Sequence, residues 1–217
     1  MSKLLNINNK RILLLAAHTD DVEFFAGATI SKLIRNGADV YYVAFSACEE
    51  SVPKQFDKNI LRKEIKESIK VLNIPQENLY VLDYPVRLFP EYRQQILDDM
   101  IRFRKSINPD LVFTFSKNDT HQDHKVIYEE SFRAFKKISM LGFESVYNNI
   151  ISELTCFIEI SEKDLENKIS ALRCYDSQKI RTERGVDEEY VKSMAVVRGY
   201  QCGVKLAEAF EVIRIIL

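Results

Sequence analysis

The chain has 217 residues, 46% of them hydrophobic, enough to bury a sizeable core within one domain spanning 1–217. Its 31 basic and 32 acidic residues nearly cancel to a formal charge of -1, and no basic block is present that would track a phosphate backbone, which excludes nucleic acid as the expected partner. No apolar run approaches the roughly 20 residues of a membrane span, and the polar, Asn-rich start carries no targeting pattern, so cytoplasm without stable membrane insertion is the expected location.

Residues 12–17 form a short, continuous apolar run, the pattern of a central parallel strand covered on both faces, and they deliver His18 to the strand's C-terminal end. Helical spacing of Ile30, Leu33 and Ile34 predicts a helix over 24–36, with Gly37 where a helix end favours a left-handed residue. The alternation then repeats, with a strand at 40–45, a polar loop at 46–57, a helix at 58–72 ending before Pro75, and a strand at 79–82. A loop with Pro85 and Pro90 leads into a helix at 91–106, and Pro109 precedes a very apolar strand at 111–115.

A helix at 124–138 and a strand at 154–160 follow. Ser161, with Asp164 three residues later, opens another helix with capping-box spacing. A long helix at 188–207 and a strand at 210–216 complete the chain. Strands alternating with helices predict an α/β fold, a Rossmann-like three-layer sandwich with a mostly parallel sheet. Tyr41, Tyr42, Phe113 and Phe115 are expected in the core, whereas Phe56, Phe89 and Tyr92 are the aromatics expected near a pocket. The cysteines, Cys48, Cys156, Cys174 and Cys202, have no CxxC pairing and are expected as reduced thiols, mostly in or near the core.

The chemistry concentrates at two strand ends. The chain's three histidines, His18, His121 and His124, all lie in short clusters that also hold aspartates: His18-Thr19-Asp20-Asp21 and His121-Gln122-Asp123-His124. In open α/β sheets ligands bind beyond the carboxyl ends of the strands, so both clusters are expected in one crevice. A hydrolytic metal site takes three ligands from His and Asp or Glu and leaves a place for water. Six residues here are candidates: His18, Asp20, Asp21, His121, Asp123 and His124. The surplus can serve as the base for water and the donor for the oxyanion, and spacing alone does not assign them.

The context AAHTDDVEFFAGATI resembles the AHPDD signature of the LmbE/PIG-L family of zinc-dependent N-acetylglucosaminyl deacetylases, and NDTHQDH is similar to its HxDH motif. LRKEIKESIKVLNI, ALRCYDSQ and RGYQCGVKLAEAF resemble further family segments in the same order, so the resemblance spans almost the whole chain. It implies an LmbE-like fold and a Zn2+ ion, one per chain, bound by His18, Asp21 and His124. It also implies Asp20 as general base, His121 as oxyanion stabiliser and proton donor to the leaving amine, and Asp123 as support for that histidine. Arg62 matches a basic position beside the substrate pocket. Thr19 stands where the family usually has proline, and Phe25 and Ala28 replace common glycines, with Phe25 bulky enough to narrow the pocket.

The expected reaction is removal of the N-acetyl group from an N-acetylglucosamine-type amino sugar or its conjugate, releasing acetate and an amine. Fe2+ and Co2+ suit the same ligand types as zinc. Two other functions account for less of the pattern. A Mg2+-dependent phosphoryl-transfer site using Asp20, Asp21 and Asp83 leaves the histidines idle, and a sugar- or nucleotide-binding module needs no Asp20 base. Glu23 reads either as an acid at a helix N-terminus or as a partner of the metal ligands. Recognition of what the sugar is attached to is expected in loops 46–57, 84–90 and 178–187. The sequence is compatible with a homo-oligomer.

Overall fold

In the computed structural model, which describes residues 8–179 and 188–216, strand β1 (Arg11–Ala16) lies in the middle of the sheet with Ile12 to Ala16 all buried. Buried apolar side chains on both faces allow only that position, since an edge strand would leave one row in water. Beside it run β2 (Asp39–Ala44) and β3 (Leu79–Val81) on one side, and β4 (Leu111–Thr114) and β5 (Ser139–Phe143) on the other. Two further strands, β6 (Leu154–Glu159) and β7 (Ala207–Arg214), give the described residues a seven-stranded sheet in the order β3-β2-β1-β4-β5-β7-β6. The first five strands are parallel, while β7 pairs antiparallel with both β5 and β6.

Helices α1 (Asp21–Arg35), α2 (Ile60–Leu72) and α5 (Glu162–Leu172) pack as one group and α3 (Arg93–Ile107) and α4 (Gln122–Ala134) as another, covering the two sides of the sheet. A short α6 (Asp176–Lys179) follows α5, and α7 (Glu188–Cys202) packs on β7. Gly37 closes α1 at φ +86°, and Ser161 and Asp164 form the capping box expected for α5. Among the described residues no helix is long and apolar enough to cross a membrane.

The site's position follows from the strand order. From β1 the chain moves outward through β2 and β3; β4 then returns to the other flank of β1 and continues to β5. That reversal between β1 and β4 is a topological switch point, where the loops leaving neighbouring strands diverge and open a crevice. With Ile12 opposite Leu111 and Leu14 opposite Phe113, both strands end at the same edge.

Several expectations need correcting. Strand β5 was not expected, because SMLGF is too short to separate from the preceding helix. It exists because its residues are buried between β4 and β7, and a Cβ on Gly142 would sit 3.2 Å from the Phe115 carbonyl oxygen. The helix expected over 188–207 stops at Cys202, as Gly203 adopts φ +77° and β7 starts at Ala207 rather than 210. The four cysteines are free thiols as expected, with Cys48 buried, Cys156 packed against the core, Cys174 half-buried and Cys202 exposed.

Candidate active site

The first cluster sits on the turn from β1 into α1. Thr19 is buried, Asp20 precedes the helix with its carbonyl accepting the Phe24 N–H (3.1 Å), and Asp21 opens the helix. The Asp21 carboxylate accepts the His18 backbone N–H at 2.7 Å, fixing both residues in one small loop. The second cluster begins α4, where His121 is the cap: its Nδ1 accepts the backbone N–H of Asp123 (3.2 Å). Asp119, just before it, accepts the His121 backbone N–H (2.8 Å) and the His124 Nδ1–H (2.8 Å).

Three donor atoms then converge. His124 Nε2 lies 3.4 Å from His18 Nδ1 and 3.5 Å from Asp21 Oδ1, and His18 Nδ1 lies 3.6 Å from Asp21 Oδ2. Metal–ligand bonds of about 2.0–2.1 Å in a tetrahedron separate ligand atoms by about 3.3–3.4 Å, so these spacings match one face of such a site. The outer nitrogens give an independent check. His18 Nε2 meets Asp123 Oδ2 at 3.1 Å and His124 Nδ1 meets Asp119 Oδ2 at 2.8 Å, so each outer nitrogen carries the proton. Two imidazole lone pairs therefore face each other beside a carboxylate, an arrangement that calls for a cation between them. The residues present fit a divalent metal.

The electrostatics agree. Burial alone depresses both imidazoles, but the charge of Asp21 and hydrogen bonds to carboxylates outweigh it and leave His18 and His124 above the usual histidine range. Burial pushes Asp21 up, yet the two histidines hold it far below the normal carboxylate range. His121 behaves differently: burial, then the charges of His124 and His18, push it down to about 4. Its ring stacks on His124 with centroids 4.4 Å apart and meets His18 edge-on at 5.0 Å, close enough for the three histidines alone to form a second candidate ligand set.

The cavity over these groups measures about 1240 Å3 including its open mouth, and is lined by His18, Asp20, Asp21, His121 and His124. The loops expected to shape it contribute Cys48, Ser51, Val86, Arg87 and Gln178; positions 180–187 of the third loop lie outside the described residues. Its aromatic wall differs from expectation. Phe24, Phe25 and Tyr147 line it, whereas Phe89 is buried beneath His18 and neither Phe56 nor Tyr92 lines it. Phe25 meets the His124 ring edge-on at 6.3 Å. Phe115 is buried in the core but also stacks on His124 at 3.9 Å.

Two placements depart from the sequence reading. Asp123, expected beside His121, gives its carboxylate to His18 (3.1 Å) and to the Arg87 backbone N–H (2.7 Å), while only its backbone N–H meets His121. Arg87 reaches it from a left-handed conformation, φ +71°, unusual for a residue with a side chain. Arg62 lies one wall away from the cavity, paired with Glu49 (2.9 Å) and Asp83 and lining a neighbouring hollow that shares Cys48.

Sequence reasoning missed Asp119 and undervalued Glu23. Glu23 is fully buried, and its side-chain partners among the described residues are neutral hydroxyls: Ser68 Oγ (2.6 Å), Tyr42 Oη (3.0 Å) and Tyr175 Oη (3.0 Å). The same two phenols lie 2.8 and 2.6 Å from the Thr19 carbonyl, directly beneath the first cluster. Burial pushes Glu23 up to about 7, against the pull of its hydroxyl partners. An acidic residue two positions after Asp21 and a tyrosine within YDSQ were the available signals.

Comparison with known proteins bears on the same residues. Residues 13–135, more than half of the chain, match the family described as PIG-L, GlcNAc-PI de-N-acetylase. The "uncharacterized deacetylase YaiS" of Escherichia coli (strain K12) is 27% identical over 182 residues, covering 81% of this chain and 97% of that protein. N,N'-diacetylchitobiose deacetylase from Pyrococcus horikoshii superposes with a TM-score of 0.77 at 22% identity, over 94% of this chain and 84% of that one. GalB, the 4-carboxy-2-hydroxymuconate hydratase from Pseudomonas putida KT2440, superposes with a TM-score of 0.76 at 17% identity, over 96% and 98%. At such identities structural likeness establishes the fold, and the hydratase shows that this fold serves more than one reaction.

Proposed function

Since the chain belongs to the PIG-L family of de-N-acetylases, we propose that it is a zinc-dependent hydrolase removing the acetyl group from an N-acetylglucosamine-type sugar or its conjugate. The observation that carries the reading is the triangle of His18 Nδ1, Asp21 and His124 Nε2 at 3.4–3.6 Å, with each outer imidazole nitrogen on a carboxylate. These three residues would hold the metal, and Fe2+ or Co2+ would fit the same donors. What a bound divalent cation supplies there is polarisation of the amide carbonyl and a water acidic enough to ionise near neutral pH.

The remaining steps belong to the protein. Asp20, on the cavity wall beside the ligands, takes the proton of the attacking water on its carboxylate. His121 accepts a backbone N–H at Nδ1, so the neutral ring carries its proton at Nε2 and offers it as a hydrogen bond to the carbonyl oxygen as charge develops. A neutral imidazole has no second proton to give. Its return to the leaving nitrogen as the C–N bond breaks is therefore assigned to Asp20 rather than His121. Asp123 acts through His18, and Arg62 acts at one remove by holding Glu49 beside the cavity.

The test is metal analysis of the purified protein combined with amine release from N-acetylated sugars, glycosides, nucleotide sugars and lipid-linked sugars. Wild type should carry about one metal ion per chain and release amine, and Asp20→Asn should keep the metal and lose turnover. Turnover unaffected by Asp20→Asn would sink the mechanism.

A further inference from the structure

We propose that Tyr147 is the stacking platform of a second sugar subsite, so that the preferred substrate carries another pyranose ring on the N-acetylated sugar; this rests on the deacetylase reading above. The cavity encloses about 480 Å3 of water-accessible space, within the roughly 300–1,000 Å3 typical of small-ligand sites, and opens to solvent at its mouth. Its floor is ionic, but at its mouth stands Tyr147, 85% exposed, with the amides of Asn148 and Gln178 on the same lining. A pyranose ring has a face of C–H bonds, which loses water favourably against an aromatic ring, and a rim of hydroxyls, which seek amide partners. The lining offers both.

The platform is also pre-positioned. Asn148 and Asn149 donate their N–H groups to the Ser145 carbonyl (3.1 and 2.8 Å), closing the turn that presents Tyr147. The Asn148 carbonyl accepts both the backbone N–H (3.1 Å) and the hydroxyl (2.9 Å) of Thr120, and Asp119 bridges to Asn149. The turn is thereby tied to the loop that carries His121, so little ordering remains for the ligand to impose. The exposed neighbours Ile150 and Ile151 line a different hollow, with Lys117 and Lys125, and do not extend this surface.

The test compares wild type with Tyr147→Ala, Tyr147→Phe and Tyr147→Trp on N-acetylglucosamine, its β-1,4-linked N-acetylated disaccharide, and its octyl glycoside. Tyr147 is exposed enough for all three variants to fold. Tyr147→Ala should lower kcat/KM about three- to tenfold more for the disaccharide than for the monosaccharide, through KM, with Phe and Trp restoring the ratio. Equal losses on both sugars, or a loss confined to the octyl glycoside, would overturn the proposal, as would dissociation of an oligomer by Tyr147→Ala. If wild type hydrolyses none of the three, the deacetylase reading fails, and calorimetric titration with the disaccharide decides the subsite. Affinity weakened about three- to tenfold in Tyr147→Ala supports it; unchanged affinity or no binding overturns it.

Discussion

At the end of β1 the loop is held mainly by neutral hydroxyls: Tyr42 and Tyr175 grip the Thr19 carbonyl above Glu23, while the Asp21 carboxylate takes the His18 N–H. At the start of α4 carboxylates do the positioning, with Asp119 on His124 and Asp123 reaching across to His18. The second loop therefore carries most of its own support within six residues. The first depends on β2, α2 and the segment after α5, more than 150 positions away in the case of Tyr175. The same task, aiming an imidazole, has one local solution and one that exists only after folding.

The largest effect is expected where neither support is touched. Asp20→Asn should reduce kcat by about 10^2–10^4-fold with the metal retained, since it removes only the group that handles the proton; stopped assays with metal analysis measure both.

Next comes the buried acid. With Glu23 raised from 4.5 to about 7, the folded chain binds its proton more tightly than the unfolded chain does. Its stabilising contribution is thus complete below about pH 4.5, falls as pH rises through 7, and is gone above. In chelator-treated protein the stability difference between wild type and Glu23→Gln should change by about 3 kcal/mol between pH 4 and pH 8. A difference independent of pH would mean that the hydroxyl cage holds Glu23 ionised.

Asp119→Asn should weaken metal binding about ten- to hundredfold in competition with a chelator, as the His124 ring loses the carboxylate that fixes its tautomer. A loss no greater than that of a distant surface variant would break the contrast between the two loops. The smallest effect belongs to single phenols. Tyr175→Phe or Tyr42→Phe should each cost about 1 kcal/mol, and the double variant more than the sum, because each hydroxyl covers for the other on Thr19. Strict additivity in chemical denaturation would show that they do not share that task.

Much of the site was legible because its signals are local. His18, Asp21 and His124 stood among six candidates in two short motifs at strand ends, the family resemblance singled them out as ligands, and their donor atoms do converge, since strand ends adjacent in a parallel sheet share an edge. Asp119 was missed although it lies two residues from His121, because an aspartate there also reads as an ordinary loop residue. The partner of Asp123 was misjudged because which imidazole a carboxylate meets depends on the side-chain direction at the head of α4. Tyr147 and Asn148 escaped notice because β5, the strand that leads to them, was itself not anticipated.

What the sequence determined by itself was the alternation of strands and helices and the donor types at β1 and β4, since burial periodicity and residue chemistry are written along the chain. The tertiary structure alone decided the antiparallel edge formed by β6 and β7, the choice of His18 as the partner of Asp123, and the caging of Glu23 under Thr19. Each of these turns on groups far apart in the chain meeting in a medium without water, where a polar atom must take whichever partner the packing brings it.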